Sequence, residues 1–319
     1  MFAIRVGALT GWCVLSAWAA ATSAADPAFT TDDQPGSFTI LSGEAVVMRY
    51  VYSDEAIPRP YFCDVHTPGG IQVTRNHPPA EGDPQDHATY HPGIWLAFGD
   101  LSGADCWRGK AEVEHVEFVE RPSDSDGKLT FAVRNRYWNA AHDDALCDEV
   151  CRYTLSRADG EYVLSIDSTF SSENGFFFGD QEEMGLGVRL ATPLIEKHHN
   201  GGLVTDSEFR TTARAVWGHA GDWCDYSGAV DRKPCGVTLL SAPDNVRKPW
   251  WHVRDYGLLT ANPFGRKAFT GGEASRIDVP GGEEFRMNYE IVIHDGRPGA
   301  GYDPRQAFSR FLAERQTAE

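Results

Sequence analysis

The strongest constraint on the fold is an alternation of apolar and polar residues that recurs from Phe38 almost to the end of the chain. Near the C-terminus every second residue is large and apolar: Phe285, Met287, Tyr289, Ile291 and Ile293. A period of two is the mark of a strand with one buried face. We count about fifteen such segments, broken by Gly, Pro and Asp, with no regular alternation of strands and helices. The pattern predicts an all-β fold, a large antiparallel β-sandwich rather than a parallel α/β fold.

Only the end of the chain has a helical pattern. Asp303 can cap a helix there and Pro304 suits its first position. The apolar residues that follow recur at helical spacing: Ala307, Phe308, Phe311 and Leu312. We therefore predict a short C-terminal helix beside the β-sandwich.

The N-terminus has the pattern of a secretory signal. Arg5 precedes an apolar run, and small residues end near Ala24 and Ala25, as in a signal peptide that is removed on export. No later segment approaches the roughly 20 apolar residues that span a bilayer. We predict a signal peptide at residues 1–25, a single domain at residues 26–319, and a protein exported to the periplasm or beyond, without membrane insertion.

Charge and cysteine content narrow the partners and the compartment. A formal net charge of −17 argues against nucleic acid, whose binding depends on basic surfaces, and favours a neutral substrate. The cysteines beyond the signal are Cys63, Cys106, Cys147, Cys151, Cys224 and Cys235. An even number in an oxidising compartment favours disulfides. We predict one between Cys224 and Cys235, which flank a turn-rich segment.

The first candidate site stretch is Asp86–Trp107. His87 and His91 lie four residues apart before the Pro92-Gly93 break, which argues against the helix on which two such histidines would bind one metal. A half-buried strand follows. Polar and aromatic residues in its loops suit a ligand site at the edge of a sheet; besides the histidines, the candidates are Trp95, Asp100 and Trp107.

The second stretch contains adjacent carboxylates, Glu182 and Glu183, before a Gly-x-Gly segment. Neighbours on a strand face opposite sides, so one carboxylate can enter a cleft while the other is solvated. A carboxylate in a partly apolar cleft can have a raised pKa and serve as a general acid or base. Arg189 follows and can bind a carboxylate, either Glu183 or one on the substrate.

The third stretch follows Asn245. On a strand His252 and Arg254 share a face that Tyr256 extends, a plausible acid/base row, while Trp251 takes the other face. Asn262 comes at a later turn. Tryptophans beside polar residues also suit stacking on sugar rings. The structural alternatives for the three stretches are a self-satisfied turn, a charged loop and a solvated sheet face.

Four segments carry a family resemblance: DHATYHPGIWLAFGDLSGADCWRGKAEV, FGDQEEMGLGVRLATPL, AVWGHAGDWCDYSG and PWWHVRDYGLLTANPFGRKAF. Through them the chain resembles the exported PmoA-like proteins of bacteria, a family labelled "methane oxygenase PmoA" and otherwise treated as a domain of unknown function. The resemblance implies a supersandwich like that of galactose mutarotases, and it implies a link to sugar utilisation. It assigns no catalytic residue.

The leading hypothesis is an exported carbohydrate-active enzyme that cleaves or rearranges a glycoside or a modified sugar, 3-keto forms included, by acid/base catalysis. Glu183 is the lead acid or base, with His91 or His252 as its partner and Tyr256 as a second proton donor. Arg189 and Arg254 bind or polarise an oxygen. The expected substrate contacts are His87, Trp95, Asp100, Trp107, Glu182, Trp251 and Asn262, with Trp95 and Trp251 stacking on the sugar.

Two alternatives stay open. The first is a non-catalytic sugar-binding module, whose carboxylates would bind hydroxyls and keep unshifted pKa values. The second is a metal-dependent oxygenase, as the family label implies. No cofactor is expected from the residues alone, but His87, His91 and His252 with Glu183 would hold a divalent metal if they converge. The reaction type, the substrate and the oligomeric state are not predicted.

Overall fold

The computed structural model describes residues 2, 28–199 and 201–318. Apart from Phe2, the predicted signal peptide at residues 1–25 lies outside this part of the chain. The strands are β1 Thr30–Gln34, β2 Ser37–Ser42, β3 Ala45–Val51, β4 Tyr61–Cys63, β5 Ile94–Phe98, β6 Val113–Ser125, β7 Lys128–Trp138, β8 Ala145–Ala158, β9 Glu161–Ser171, β10 Phe176–Phe178, β11 Met184–Arg189, β12 Leu203–Asp206, β13 Trp223–Val230, β14 Lys233–Ser241, β15 Trp250–Arg254, β16 Leu258–Asn262, β17 Ile277–Val279, β18 Glu284–Asp295, β19 Arg297–Pro298 and β20 Gly301–Tyr302. The helices are α1 Ala213–Val216, α2 Arg266–Thr270 and α3 Pro304–Ala318, with 3-10 turns at Thr192–Leu194 and Glu196–His198.

Two 8-stranded antiparallel sheets form the body of the protein. The front sheet has the order β1-β2-β3-β4-β5-β11-β16-β15, and the back sheet has the order β12-β13-β14-β18-β9-β8-β7-β6. Two small pairs, β10-β17 and the parallel β19-β20, lie outside them. The predicted all-β antiparallel sandwich is confirmed.

The main core fills the space between the two sheets. Ile94 and Phe98 enter it from the front sheet, while Tyr289 and Ile291 enter it from the back sheet. The period of two on β18 therefore places its large apolar residues inward, as predicted. Val292, on the opposite face of the same strand, packs in a separate cluster beneath α3.

The C-terminal helix α3 covers the outer face of the back sheet. Its Ala307 and Phe311 are buried against Trp223, Leu240 and Val292. Asp303 precedes the helix, and its carboxylate accepts a hydrogen bond from the Arg305 backbone N–H. The predicted helix and its apolar face are confirmed. No helix in the described ranges is long and apolar enough to cross a membrane.

The predicted Cys224–Cys235 disulfide is wrong. All six cysteines from Cys63 to Cys235 are free and buried. In the β13-β14 hairpin Cys224 lies opposite Leu239 and Cys235 lies opposite Gly228. The two cysteines are thus offset along the hairpin by four residues, about 13 Å at the rise of a strand. A disulfide requires Cα atoms within about 7 Å.

The outer face of the front sheet is the part of the fold that positions the candidate site. Trp95 on β5 lies opposite Gly187 on β11, and both face away from the main core. A Cβ atom at residue 187 would lie 2.7 Å from the Trp95 ring. The Gly-x-Gly segment of β11 therefore leaves space for a tryptophan, which is why small residues occur at the centre of this sheet.

Candidate functional site

A buried arginine, Arg75, organises the loop that carries the two histidines. Its side chain donates hydrogen bonds to the backbone carbonyls of Pro84 at 2.8 Å, Asp86 at 2.7 Å and His91 at 3.0 Å. Burial lowers the pKa of Arg75 to about 10, so it keeps its charge at neutral pH. The loop is thus fixed by one side chain that bonds to its backbone at several points.

A second buried arginine, Arg59, joins this loop to the segment after β5. Its guanidinium donates to the carbonyl oxygens of Cys106 at 3.1 Å, Trp107 at 2.8 Å and Tyr90 at 2.5 Å. Burial lowers its pKa to about 10 as well. Neither arginine was predicted as part of the site, because nothing local in the sequence shows which distant carbonyls they bind.

A column of stacked rings rises from the sheet towards solvent. Trp95 is stacked on His91 with centroids 5.0 Å apart, His91 on His87 at 4.7 Å, and His87 on Tyr256 at 5.7 Å. Trp107 contacts Trp95 edge-on at 5.1 Å. Trp95, Trp107 and His91 are buried, whereas His87 and Tyr256 are partly exposed. The tryptophans form the base of the column, so only its outer rings can meet a ligand.

His87 is held by the carboxylate that precedes it. Its Nδ1 lies 2.6 Å from Asp86 Oδ2, and Asp86 Oδ1 accepts a hydrogen bond from Arg189 Nη2 at 2.9 Å. Burial opposes ionisation of Asp86, but the hydrogen bond from His87 and the charge of Arg189 lower its pKa overall. An ionised carboxylate only accepts hydrogen bonds, so Nδ1 is the nitrogen that carries the proton, and in the neutral ring Nε2 is the acceptor.

Glu183 is a partly buried carboxyl group that interacts electrostatically with this histidine. Burial raises its pKa, and the charges of Arg108 and His87 oppose that rise only in part. Its side chain is 16% exposed and forms an ion pair with Arg108, which also binds Asp105 at 3.0 Å. A carboxyl group with a raised pKa and an open edge fits a general acid or base.

Tyr256 completes this part of the cleft. The Arg189 guanidinium lies 4.8 Å from its ring centroid. Burial raises the pKa of Tyr256 to about 12, while Arg189 and Arg254 act in the other direction and Glu183 and Asp86 add to the rise. The phenol therefore stays protonated at neutral pH and can donate a hydrogen bond. Arg189 is fully buried, so it supports Asp86 and Tyr256 and does not reach a substrate.

Glu182 turns towards β15 and pairs there with two residues. One of its oxygens forms an ion pair with Arg254 and lies 3.4 Å from His252 Nδ1. Burial and the neighbouring Arg254 lower the pKa of His252 to about 3. His252 is neutral, and at 2% exposure it is out of reach of a substrate. It packs beneath the Glu182–Arg254 pair.

Asn262 fixes the loop that carries both glutamates. Its amide donates to the carbonyl oxygens of Gln181 at 2.8 Å and Glu182 at 2.9 Å, and its side-chain oxygen accepts from the backbone N–H groups of Phe264 and Gly265. The residue is fully buried. Asn262 therefore positions the glutamate loop, whereas the sequence had indicated a substrate contact.

Three more predicted site residues, Trp251, Asp100 and His91, do not lie where their expected roles require. Trp251 faces the main core and is fully buried, because it alternates with His252 on β15; it cannot stack on a substrate. Asp100 lies in the turn after β5, where its carboxylate accepts from the Gly103 N–H at 3.0 Å. His91 is fully buried, and burial lowers its pKa well below the usual value. His87, and not His91, is therefore the candidate partner of Glu183.

The three histidines proposed as metal ligands do not form a cluster. His87 and His91 are stacked face to face. His252 is on β15, where its Nδ1 lies 3.4 Å from a carboxylate oxygen of Glu182. Across residues 28–199 and 201–318, no group of three or more His, Cys, Asp or Glu side chains has the arrangement of a metal site. The donor set expected from the sequence therefore does not fit a metal at this position.

Several site residues were not predicted. Asp86 directly precedes His87, so its proximity was a local signal for the His–carboxylate pair. The charge of Arg108 opposes the rise that burial causes in the pKa of Glu183. The charge of Glu183 adds to the rise that burial causes in the pKa of Tyr90. Their contacts depend on how the loop after β5 folds back, which no local pattern indicates.

Comparison with known proteins identifies a family but not an activity. A family model described as "Family of unknown function (DUF6807)" matches residues 37–302. The expected membership of the PmoA-like family is wrong, because the family model that matches is this one. The metal-oxygenase alternative, which followed from that label, loses its basis. No curated protein matches the chain.

Two solved structures are similar at low sequence identity. One is a galactose mutarotase related enzyme from Lactobacillus acidophilus, with 10% identity, a TM-score of 0.35, and coverage of 85% of this chain and 99% of that chain. The other is a GH36 alpha-galactosidase from Geobacillus stearothermophilus, with 13% identity, a TM-score of 0.39, and coverage of 84% of this chain and 41% of that chain. The similarity concerns the fold alone.

Proposed function

The chain belongs to the DUF6807 family of unknown function, and we propose that it is an exported enzyme that acts on a glycoside or a modified sugar by acid/base catalysis. One observation carries the proposal. The carboxyl group of Glu183 is partly buried, has a pKa that burial raises, and interacts electrostatically with His87, whose Nδ1 lies 2.6 Å from Asp86 Oδ2. Two proton-transfer groups in different environments are typical of acid/base sites.

The two groups have complementary roles in the proposed reaction. Glu183, whose pKa is raised, donates a proton to the departing or reacting oxygen. His87 accepts a proton at Nε2, because Asp86 orients its ring and stabilises the imidazolium that forms. Tyr256 donates a hydrogen bond to a substrate oxygen and keeps its own proton.

A neutral, hydroxyl-rich substrate fits the charges around the cleft. Glu183 is paired with Arg108, and Glu182 is paired with Arg254. The exposed edges of these pairs offer both donors and acceptors, as sugar hydroxyls require. The partly exposed rings of His87 and Tyr256 provide a flat apolar surface for the CH face of a sugar.

The proposal is tested by incubating the purified protein with a panel of glycosides, 3-keto forms included, and detecting products with and without a chelator. We expect product from a sugar and no effect of the chelator. Thermal stabilisation by a sugar without any product would instead support a sugar-binding module. Activity that disappears with the chelator would contradict a reaction carried by Glu183 and His87 alone.

A further inference from the structure

A second group of aromatic side chains lies beside the acid/base cluster on the outer face of the front sheet. Phe269 contacts Trp217 edge-on at 5.5 Å and is stacked near Trp250 at 6.4 Å. All three side chains are partly exposed. The proposed roles of Glu183 and His87 make no use of this aromatic group.

Arg254 connects the two groups. Its guanidinium forms an ion pair with Glu182 and lies 5.4 Å from the Trp217 ring centroid. The same arginine lines a cleft of about 330 Å³ together with Trp217, Arg214, Glu196 and Asp255. Arg254 also interacts electrostatically with Tyr256, so this arginine links the cleft to the acid/base cluster.

We propose that this cleft is a subsite for a second sugar unit, and that the substrate is a disaccharide or a longer glycoside. The inference rests on the proposed function. A volume of this size is at the lower end of ligand pockets, roughly 300–1,000 Å³, which suits one unit of a larger substrate. The Trp217 ring offers the apolar surface, and Arg214 and Asp255 offer a donor and an acceptor for hydroxyls.

The charges in the cleft favour a neutral ring over an anionic group. Glu196 and Asp255 line the cleft, and Arg254 already forms an ion pair with Glu182. The three carboxylates outnumber Arg214 and Arg254, so the cleft has a net negative charge that disfavours a phosphate or a carboxylate. Glu196 also accepts a hydrogen bond from the Ala213 N–H at 2.8 Å, so its position is fixed by the start of α1.

A subsite for a second unit narrows the reaction. In this proposal the substrate extends from the acid/base cluster into the cleft with its glycosidic bond at Glu183, whereas rearrangement of a single sugar needs no such cleft. In hydrolysis the bond between the anomeric carbon and the bridging oxygen breaks. Glu183 supplies the proton to that oxygen, His87 removes a proton from water, and the hydroxide adds to the anomeric carbon. One water is consumed and no oxidant or metal is required.

The test compares each disaccharide with the methyl glycoside of its non-reducing sugar: cellobiose, maltose and lactose against methyl β-glucoside, methyl α-glucoside and methyl β-galactoside. Trp217→Ala is expected to lower kcat/KM for the disaccharide about tenfold and to leave the methyl glycoside unchanged. Trp217→Phe keeps a ring and should restore most of the loss. Phe209→Ala removes an aromatic ring that is 62% exposed and packs beside Trp223 of the back sheet, so it is the matched control.

An equal loss on both members of a pair would show a structural effect of the substitution and would overturn the subsite, as would no loss on either. Calorimetric binding of the same sugars keeps the inference separate from the proposed activity. If no product forms but Trp217→Ala weakens disaccharide binding and Phe209→Ala does not, the proposed function fails and the subsite stands. Equal binding of disaccharide and methyl glycoside by the wild-type protein would refute the subsite even in an active enzyme.

Discussion

At the residue scale, burial decides which histidine can exchange a proton with a substrate. His91 and His252 are almost completely buried, and burial lowers the pKa of both. They are held neutral within the protein. His87 is partly exposed and has Asp86 as a hydrogen-bond partner. It is therefore the histidine that accepts a proton in the proposed mechanism.

The His87–Asp86 pair yields the first prediction. Asp86→Asn removes the charge that stabilises the imidazolium and places an amide where His87 Nδ1 needs an acceptor. We expect kcat to fall about 100-fold or more, with a smaller change in KM, in steady-state assays. The matched control is Asp64→Asn, a partly exposed carboxylate paired with Arg49. Equal activity of the two variants would exclude the proposed role of Asp86.

Sequence patterns recovered part of the site, and the reason differs from residue to residue. Glu183 belongs to a pair of carboxylates that precedes two glycines, and Tyr256 extends the polar face of a strand. Both are local patterns that can be seen in the sequence. The period of two on β15 placed Trp251 on the face opposite His252 and Arg254, so the sequence pattern itself argued against a stacking role for Trp251. Arg108 escaped prediction because its contact with Glu183 joins loops that are distant in sequence.

At the element scale, the loop that carries the histidines depends on tertiary hydrogen bonds. Residues 84–91 contain no strand or helix, and Arg75 satisfies several of their carbonyl groups. The sequence showed that a loop precedes β5. It could not show what holds that loop, because the donor belongs to another segment of the chain.

The second prediction concerns Arg75→Ala. Removing a buried charged donor leaves carbonyl groups without partners, so we expect a loss of roughly 2–4 kcal/mol in the free energy of unfolding. Hydrogen exchange measured by mass spectrometry should accelerate at residues 84–91 before other parts of the front sheet, and activity should be lost. Arg134→Ala, which breaks a surface ion pair with Glu117, serves as the control. Unchanged exchange in the loop would rule out Arg75 as its anchor.

The contact between α3 and the back sheet yields the third prediction. Glu290 is 4% exposed, and burial raises its pKa to about 7; Glu314 and Asp167 also favour the rise, while Ser165 and Arg310 oppose it. A raised folded-state pKa means that its contribution to stability is complete below the unfolded pKa, near 4.5, and is lost as the pH rises through about 7.

Glu290→Gln should therefore be more stable than the wild type at pH 8, by about 1–3 kcal/mol, and nearly equal to it at pH 4.5. Urea unfolding at the two pH values measures the difference. A variant that is less stable than the wild type at pH 8 would show that the charged form of Glu290 is stabilised in the folded protein.

At the scale of the whole molecule, the alternation of side chains predicted the sandwich and the helical spacing near the C-terminus predicted the helix, but neither predicted the order of the strands. β5 ends at Phe98 and pairs with β11, which begins only at Met184, and β11 pairs with β16. Such pairings depend on which faces bury most apolar surface together. The candidate site arises from them, since its residues come from loops and strands that meet only in the folded front sheet.

The cysteines provide a prediction for the whole chain. The structure has Cys224 and Cys235 free and buried, in a protein that we propose to be exported. Iodoacetamide added to the denatured, unreduced protein should therefore alkylate both, and reductant should leave the melting temperature unchanged. Recovery of a disulfide-linked peptide that contains Cys224 and Cys235 would mean that the β13-β14 register differs from the one described.

The role of Glu183 is the centre of the account, and the turnover of Glu183→Gln tests it most directly. We expect kcat on a hydrolysed glycoside to fall about 100- to 10,000-fold, with the fold retained by circular dichroism. Glu290→Gln is the matched control, because it makes the same change at a buried glutamate on β18 whose pKa is also raised; its activity should equal that of the wild type. Wild-type turnover by Glu183→Gln would contradict the proposed acid/base mechanism.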